Sequence, residues 1–204
     1  DAGNWGVSWY YNWSITKHNF TSFRDLQFVP MMWTTAPTDK QEISVLPKLG
    51  YKYVLAFNEP DLEEQSNISV EDAVRPAEII CTLTSSKEAF LQKEWVREDA
   101  HINAVGTFTP DTREISTSLM ETSQIYVDDY SAALTESGDL LIAMAEGDLE
   151  ESCIVGTLGE LVSEKKTFYK GESRPTIFDA VGLAIEDLCC AEYIYNKLEK
   201  GALK

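Results

Sequence analysis

Basic residues are scarce in this chain: Lys and Arg number 17 against 34 Asp and Glu, a formal charge of −17 over 204 residues. A field of that sign repels phosphate backbones and anionic lipid, which argues against nucleic acid or a membrane surface as a partner. Long apolar runs are missing too. No stretch approaches the roughly 18 apolar residues of a membrane-spanning helix, and the N-terminal "DAGNWGVSW" has neither the basic nor the apolar region of a signal peptide. As written the chain reads as cytoplasmic, or as one whose signal has been removed. Histidine is limited to His18 and His101, and the four cysteines, Cys81, Cys153, Cys189 and Cys190, lack metal-like spacing. No metal site and no disulfide framework is therefore expected, and the cysteines read as small buried apolar residues.

What is present suits a globular protein. Hydrophobic residues make up 44% and charged residues 25%, enough apolar surface to bury a core. The length allows one large domain or two small ones. Strand-like and helix-like segments alternate. The strand candidates are "GVSWYYNW", "FVPMMW", "YVLAFN", "EIICTLT", "HINAVGT" and "QIYVDD", short and continuously apolar as strands covered on both faces tend to be. Helix-compatible stretches such as "TDKQEISVLPKLG", "SVEDAV" and "TREISTSLMETS" lie between them, which predicts βαβ units. After "IYVDD" the pattern reads as helical, ending in "DAVGLAIEDLCCAEYIYNKLEK" with apolar residues at helical spacing. The acids from Glu136 to Glu160 read mostly as a solvated face.

Two features are unevenly spread. Four of the five tryptophans precede Pro37, and the Asn-x-Ser/Thr sequons at Asn12, Asn19 and Asn67 have no counterpart later in the chain. Residues about 1–74, through "GVSWYYNWS", "FVPMMW" and "LAFNEPDLEEQSNISVEDA", resemble the core of the secreted glycoside hydrolases that act on β-1,3-glucan, a family of (β/α)8 barrels. The resemblance implies Glu59 as general acid/base, Asn58 beside it for the sugar 2-hydroxyl, and Trp9, Tyr10 and Trp33 as platforms for glucose rings. A retaining glycosidase needs a second carboxyl about 5 to 5.5 Å away. None is found here, because Asp61, Glu63 and Glu64 read as a solvated helix start.

Residues about 69–204 resemble a different family, the ornithine cyclodeaminase/mu-crystallin proteins, which bind NAD(P) on a Rossmann domain. The matching stretches are "EWVREDAHINAVGTFTPDTREI", "IYVDDYSAALTESGDLL" and "TIFDAVGLAIEDLCCAEYIY". What the resemblance carries over is the nicotinamide side of the cofactor: Thr82 at one strand end, and Asn103, Ala104, Val105 and Gly106 at the next. Two positions depart from the family. Phe108 stands where a cyclodeaminase has its catalytic aspartate, and Ala180 where a serine is common. No G-x-G-x-x-G occurs anywhere, so the usual pyrophosphate cradle is absent from this sequence.

The expected fold is α/β: a mostly parallel, six-stranded doubly wound sheet combining a partial barrel (1–74) with a partial Rossmann domain (75–204) and a helical C-terminus. The expected function follows the two incomplete sites. The chain reads as a chimeric or recombined protein without catalysis and without a resident cofactor, with weakly held NAD(P) or β-glucan as the two ligands its segments imply. The alternatives are a cyclodeaminase-like oxidoreductase remnant and a glucan-binding or glucan-hydrolysing remnant. Oligomeric state is left open.

Overall fold

The computed structural model describes residues 9–17, 26–32, 46–56, 68–165 and 173–199. Two units divide the chain, Asp1–Ala73 with Cys189–Lys204 and Val74–Leu188. In the first lie four two-residue strands, β1 (Trp9–Tyr10), β2 (Gln27–Phe28), β3 (Met31–Met32) and β4 (Leu55–Ala56). They form two separate parallel pairs, β1 with β2 and β3 with β4. The run "FVPMMW", expected as one strand, is split by Pro30. A proline has no N–H to give a ladder, although the Pro30 carbonyl still accepts from the Leu55 N–H at 2.8 Å. Tyr10 packs against Phe28 with ring centroids 5.3 Å apart, and Phe28 meets Tyr51 edge-on at 6.0 Å.

The second unit holds the main sheet: β5 (Ile79–Thr82), β6 (His101–Ala104), β7 (Gln124–Val127), β8 (Ile154–Thr157) and β9 (Thr176–Asp179). All neighbours are parallel, in the order β5-β6-β9-β7-β8. The last strand in sequence therefore lies at the centre. Register places one isoleucine from every strand in a single row: Ile80, Ile102, Ile177, Ile125 and Ile154. Residues matched across parallel strands share a face, and this face is dry. It packs on Leu119 and Met120 of the helix Thr117–Thr122, Ala133 of Tyr130–Glu136, and Leu140 and Ala143 of Gly138–Glu146. Burying a side chain of this size contributes about 1.5–3 kcal/mol each.

Four of the helices start where a side chain can take one of their first N–H groups. Ser69 Oγ accepts from the Asp72 N–H at the start of Val70–Val74, Asp129 accepts from Ala132, and Ser137 from Leu140. Thr157 and Glu160 form a reciprocal capping box at Leu158–Val162. In the helix Ala184–Glu199 the apolar side chains Ile185, Leu188, Ile194 and Leu198 are exposed.

The α/β class with a mostly parallel sheet is as expected, and several details are corrected. The sheet has five strands, all from residues 79–179, and among the described residues β1–β4 pair only with one another. The stretch after "IYVDD" is not purely helical, since it supplies β8 and the central β9. Gly156 and a register shift beside Ile125 interrupt β8, and β9 ends on an aspartate, so neither shows a clean apolar run. Cys81, Cys189 and Cys190 are exposed and Cys153 half-buried, contrary to the core reading of all four. Cys81 lies on an incompletely covered face of an edge strand, opposite in direction to the buried isoleucines. Burial does push the Cys153 thiol up to about 11.

Candidate functional site

Two residues beyond the isoleucine row on β5, β6, β9 and β7, the same sheet face carries Thr82, Ala104, Asp179 and Val127. This row is the C-terminal edge of the sheet, where open α/β folds bind their ligands. The Val105 N–H donates to the Thr82 carbonyl at 3.0 Å, and the Ala180 N–H to the Ala104 carbonyl at 2.9 Å, so the loops leaving β5, β6 and β9 begin in step. Thr82 is 4% exposed and its Oγ1 has no partner among the described residues. Gly106 is buried, and a Cβ there would overlap the Thr84 carbonyl and the Glu114 carboxylate. Val105, between Ala104 and Gly106, is exposed.

Four buried carboxylates tie this edge together. Glu114 accepts from the N–H groups of Thr84, after β5, and Gly106, after β6. Asp139 accepts from the Glu114 and Ile115 N–H groups at 2.8 and 2.7 Å and from the Thr107 hydroxyl at 2.8 Å. Asp128, after β7, accepts from the Gly182 N–H at 2.9 Å. Gly182 sits at φ +84°, a conformation glycine adopts without a Cβ penalty. Asp179, at the end of β9, accepts from the Ser137 hydroxyl at 2.6 Å, while its Oδ1 has no partner among the described residues.

Burial pushes the Asp139 carboxyl above the usual aspartate range, against the hydrogen bonds from Ile115, Thr107 and Glu114 that favour its charged form. Burial also pushes Asp179 up to about 7, opposed by the Ser137 bond and reinforced by the charges of Asp139, Asp128 and Glu114. Asp139 gains in addition from its place in the first turn of its helix, where the backbone dipole favours a negative charge. Among the described residues no group of three or more His, Cys, Asp and Glu is arranged to hold a metal ion.

The residues singled out from sequence fall in different places. Thr82, Ala104, Val105 and Gly106 come together at the ends of adjacent strands. Asn103 sits in register with Cys81 on the opposite face, where its Nδ2 lies 3.7 Å from the Cys81 Sγ. His101 pairs with the Thr176 hydroxyl at 2.8 Å. Phe108 is exposed on the loop after β6, and Ala180 is buried just beyond β9. Trp9 is exposed and Tyr10 half-buried on β1; Trp33, Asn58 and Glu59 lie outside the described residues.

The model of the ornithine cyclodeaminase/mu-crystallin family matches residues 44–202. The chain belongs to that family. It is 42% identical over 133 residues to the ketimine reductase mu-crystallin of Rattus norvegicus, covering 65% of this chain and 40% of that protein. A Δ1-pyrroline-2-carboxylate reductase of Bacillus cereus is 36% identical over 132 residues, covering 64% and 40%. Among solved structures, the Δ1-pyrroline-2-carboxylate reductase of Thermococcus litoralis in complex with NADH and L-proline superimposes with a TM-score of 0.64 at 29% identity, covering 88% of this chain and 54% of that one. The chain thus spans about 40% of the curated relatives it matches. The family match begins ahead of "FNEPD" and takes it in, so one of the three stretches behind the barrel resemblance lies inside the cyclodeaminase match, while "GVSWYYNWS" and "FVPMMW" precede it.

Sequence reasoning missed Glu114, Asp128, Asp139 and Asp179. Glu114 and Asp139 lie in polar stretches, "TREIS" and "SGDLL", that read as helix starts at the surface. The one local signal is Gly138 beside Asp139. A Cβ on Gly138 would overlap the Thr112 carbonyl, so the helix start is pressed against backbone, and its neighbour with it.

Proposed function

We propose that this chain forms the nicotinamide-side part of an NAD(P)-dependent reductase site of the ketimine-reductase type, with Thr82, Ala104, Val105 and Gly106 as its lining and Asn103, on the opposite face of β6, outside it. The observation that carries the reading is the C-terminal edge of β5 and β6. There a buried hydroxyl without a partner among the described residues, Thr82 Oγ1, lies beside the strand end Ala104, whose successor Val105 is exposed while Gly106 packs against the Thr84 carbonyl and the Glu114 carboxylate. The exposed Val105 offers a flat ring an apolar surface to lie against, and Thr82 offers one donor and acceptor to orient it. The NADH held by the Thermococcus litoralis reductase and the reductase names of the relatives support the same reading.

A bound reduced nicotinamide would supply a hydride to a C=N carbon. This chain's own residues hold and orient; they offer no acid at the matching loop position, where Phe108 stands, and no Gly-rich turn for a pyrophosphate. Binding is therefore expected to be weak, and turnover of a cyclic imine by this chain to stay at background. A ligand at 100 times its dissociation constant stabilises a fold by about 2.7 kcal/mol, so thermal unfolding in millimolar NADH and NADPH tests the reading. An upward shift with either is expected; an unchanged midpoint with both rejects it. The barrel-type reading of Glu59 rests on its sequence motif alone, and laminarin oligosaccharides in the same assay give the comparison.

A further inference from the structure

Glu114 is wholly buried, and every one of its polar atoms is engaged. Its N–H donates to Asp139 Oδ1 at 2.8 Å, and its carbonyl accepts from the Phe90 and Leu91 N–H groups at 3.0 and 2.9 Å. Its two carboxylate oxygens go to different loops: Oε1 to the Thr84 N–H and Oε2 to the Gly106 N–H, the latter at 3.2 Å. Thr84 lies two residues beyond the end of β5 and Gly106 two beyond the end of β6. The backbone of Glu114 is thus immobilised, and its side chain bridges two strand-end loops.

We infer that Glu114 is a positioning residue that sets the separation of these two loops, and through it the seat of a nicotinamide ring between Thr82 and Gly106. The inference rests on the dinucleotide reading above. A carboxylate is the group this task calls for, because it offers an acceptor to each loop, whereas a glutamine offers one acceptor and turns an N–H donor toward the other N–H. Gly106 completes the arrangement, since any side chain there would displace the carboxylate. Asp139 acts one step further back by holding the Glu114 and Ile115 N–H groups.

The test uses reduced nicotinamide mononucleotide as the probe, titrated into the 204-residue chain, E114Q and E114D well below their unfolding midpoints. With the acceptor to one loop lost, the dissociation constant of E114Q should rise by about tenfold. E114D keeps both acceptors but draws the loops together, so it should raise the constant less. Should E114Q fail to fold, E114D alone decides, by a raised or an unchanged constant. A residue serving stability only would lower the unfolding midpoint and leave the probe's affinity at the wild-type value; that result overturns the inference while leaving the dinucleotide reading intact. If the wild-type chain itself does not bind the probe, the dinucleotide reading fails and the inference falls with it.

Discussion

Two rows of one sheet, two residues apart on four of its five strands, are built on opposite principles. Ile80, Ile102, Ile177, Ile125 and Ile154 form a dry row with no polar atom to satisfy, whereas Thr82, Ala104, Asp179 and Val127 open onto an edge held by buried carboxylates. The first row is specified by shape and apolar area, and many side chains of similar volume would serve. The second is specified atom by atom, because a buried carboxylate must be matched to particular donors or lose its charge. The fold is held by apolar packing at one row and by matched donors and carboxylates beside the other.

The comparison breaks most severely at Gly138, where the polar edge meets backbone. A methyl group there would overlap the Thr112 and Thr109 carbonyls, neither of which can rotate away. Gly138→Ala is expected to cost more than about 4 kcal/mol and to yield no cooperative unfolding transition. A normal urea transition would show that the loop 109–112 can yield.

Next comes the dry row. Ile177 is central, with strands on both sides and no exposure, so Ile177→Ala should cost about 3–4 kcal/mol, within the range for deleting a buried isoleucine side chain. Ile177→Val should cost only about 1 kcal/mol. Equilibrium denaturation of the two variants checks the ratio, and equal losses would contradict a packing-dominated row.

The two rows also differ in how far they could be read from sequence. β5, β6 and β7 stand out because each pairs its buried isoleucine with further apolar residues, Ile79 on β5, Ala104 on β6 and Tyr126 and Val127 on β7, although only β7 is buried on both faces. β8 and β9 do not, since Gly156 and Asp179 interrupt the signal and only the sheet's register shows that Ile154 and Ile177 belong with the others. Thr82, Ala104, Val105 and Gly106 were reachable through family resemblance. Glu114 was not, because its partners Thr84 and Gly106 are 30 and 8 residues away, and a glutamate beside an arginine in "TREIS" looks solvated. The exposed Cys81, Cys189 and Cys190 show the converse error: residue type predicts burial only when the face it occupies is covered.

Asp179 sharpens the comparison through pH. Its carboxyl is pushed up to about 7 in the fold from an ordinary value of 3.8. The folded state therefore retains a proton that the unfolded state releases, and stability is greatest below the unfolded value and falls as pH rises toward about 7. One such proton gives a slope of at most about 1.4 kcal/mol per pH unit, so roughly 2 kcal/mol should be lost between about pH 5 and 6.5. Asp179→Asn keeps an acceptor for Ser137 and carries no charge. The wild type minus variant difference in unfolding free energy should follow that slope and level off above neutrality; a difference independent of pH would mean that Asp179 stays ionised in the fold.

The smallest effect is expected at Thr157, where β8 ends and the polar edge reaches the surface. Its hydroxyl accepts from the Glu160 N–H at 3.2 Å, and the Glu160 carboxylate accepts from the Thr157 N–H at 3.0 Å. Unlike Asp179, both groups are only partly buried, so water can replace either partner. Thr157→Ala should therefore cost about 1 kcal/mol, the usual worth of an N-cap hydroxyl, and Thr157→Ser almost nothing. A serine variant as unstable as the alanine one would show that the threonine methyl, and not its hydroxyl, secures this end of the sheet. The outermost polar position would then belong with the isoleucines in being held by packing.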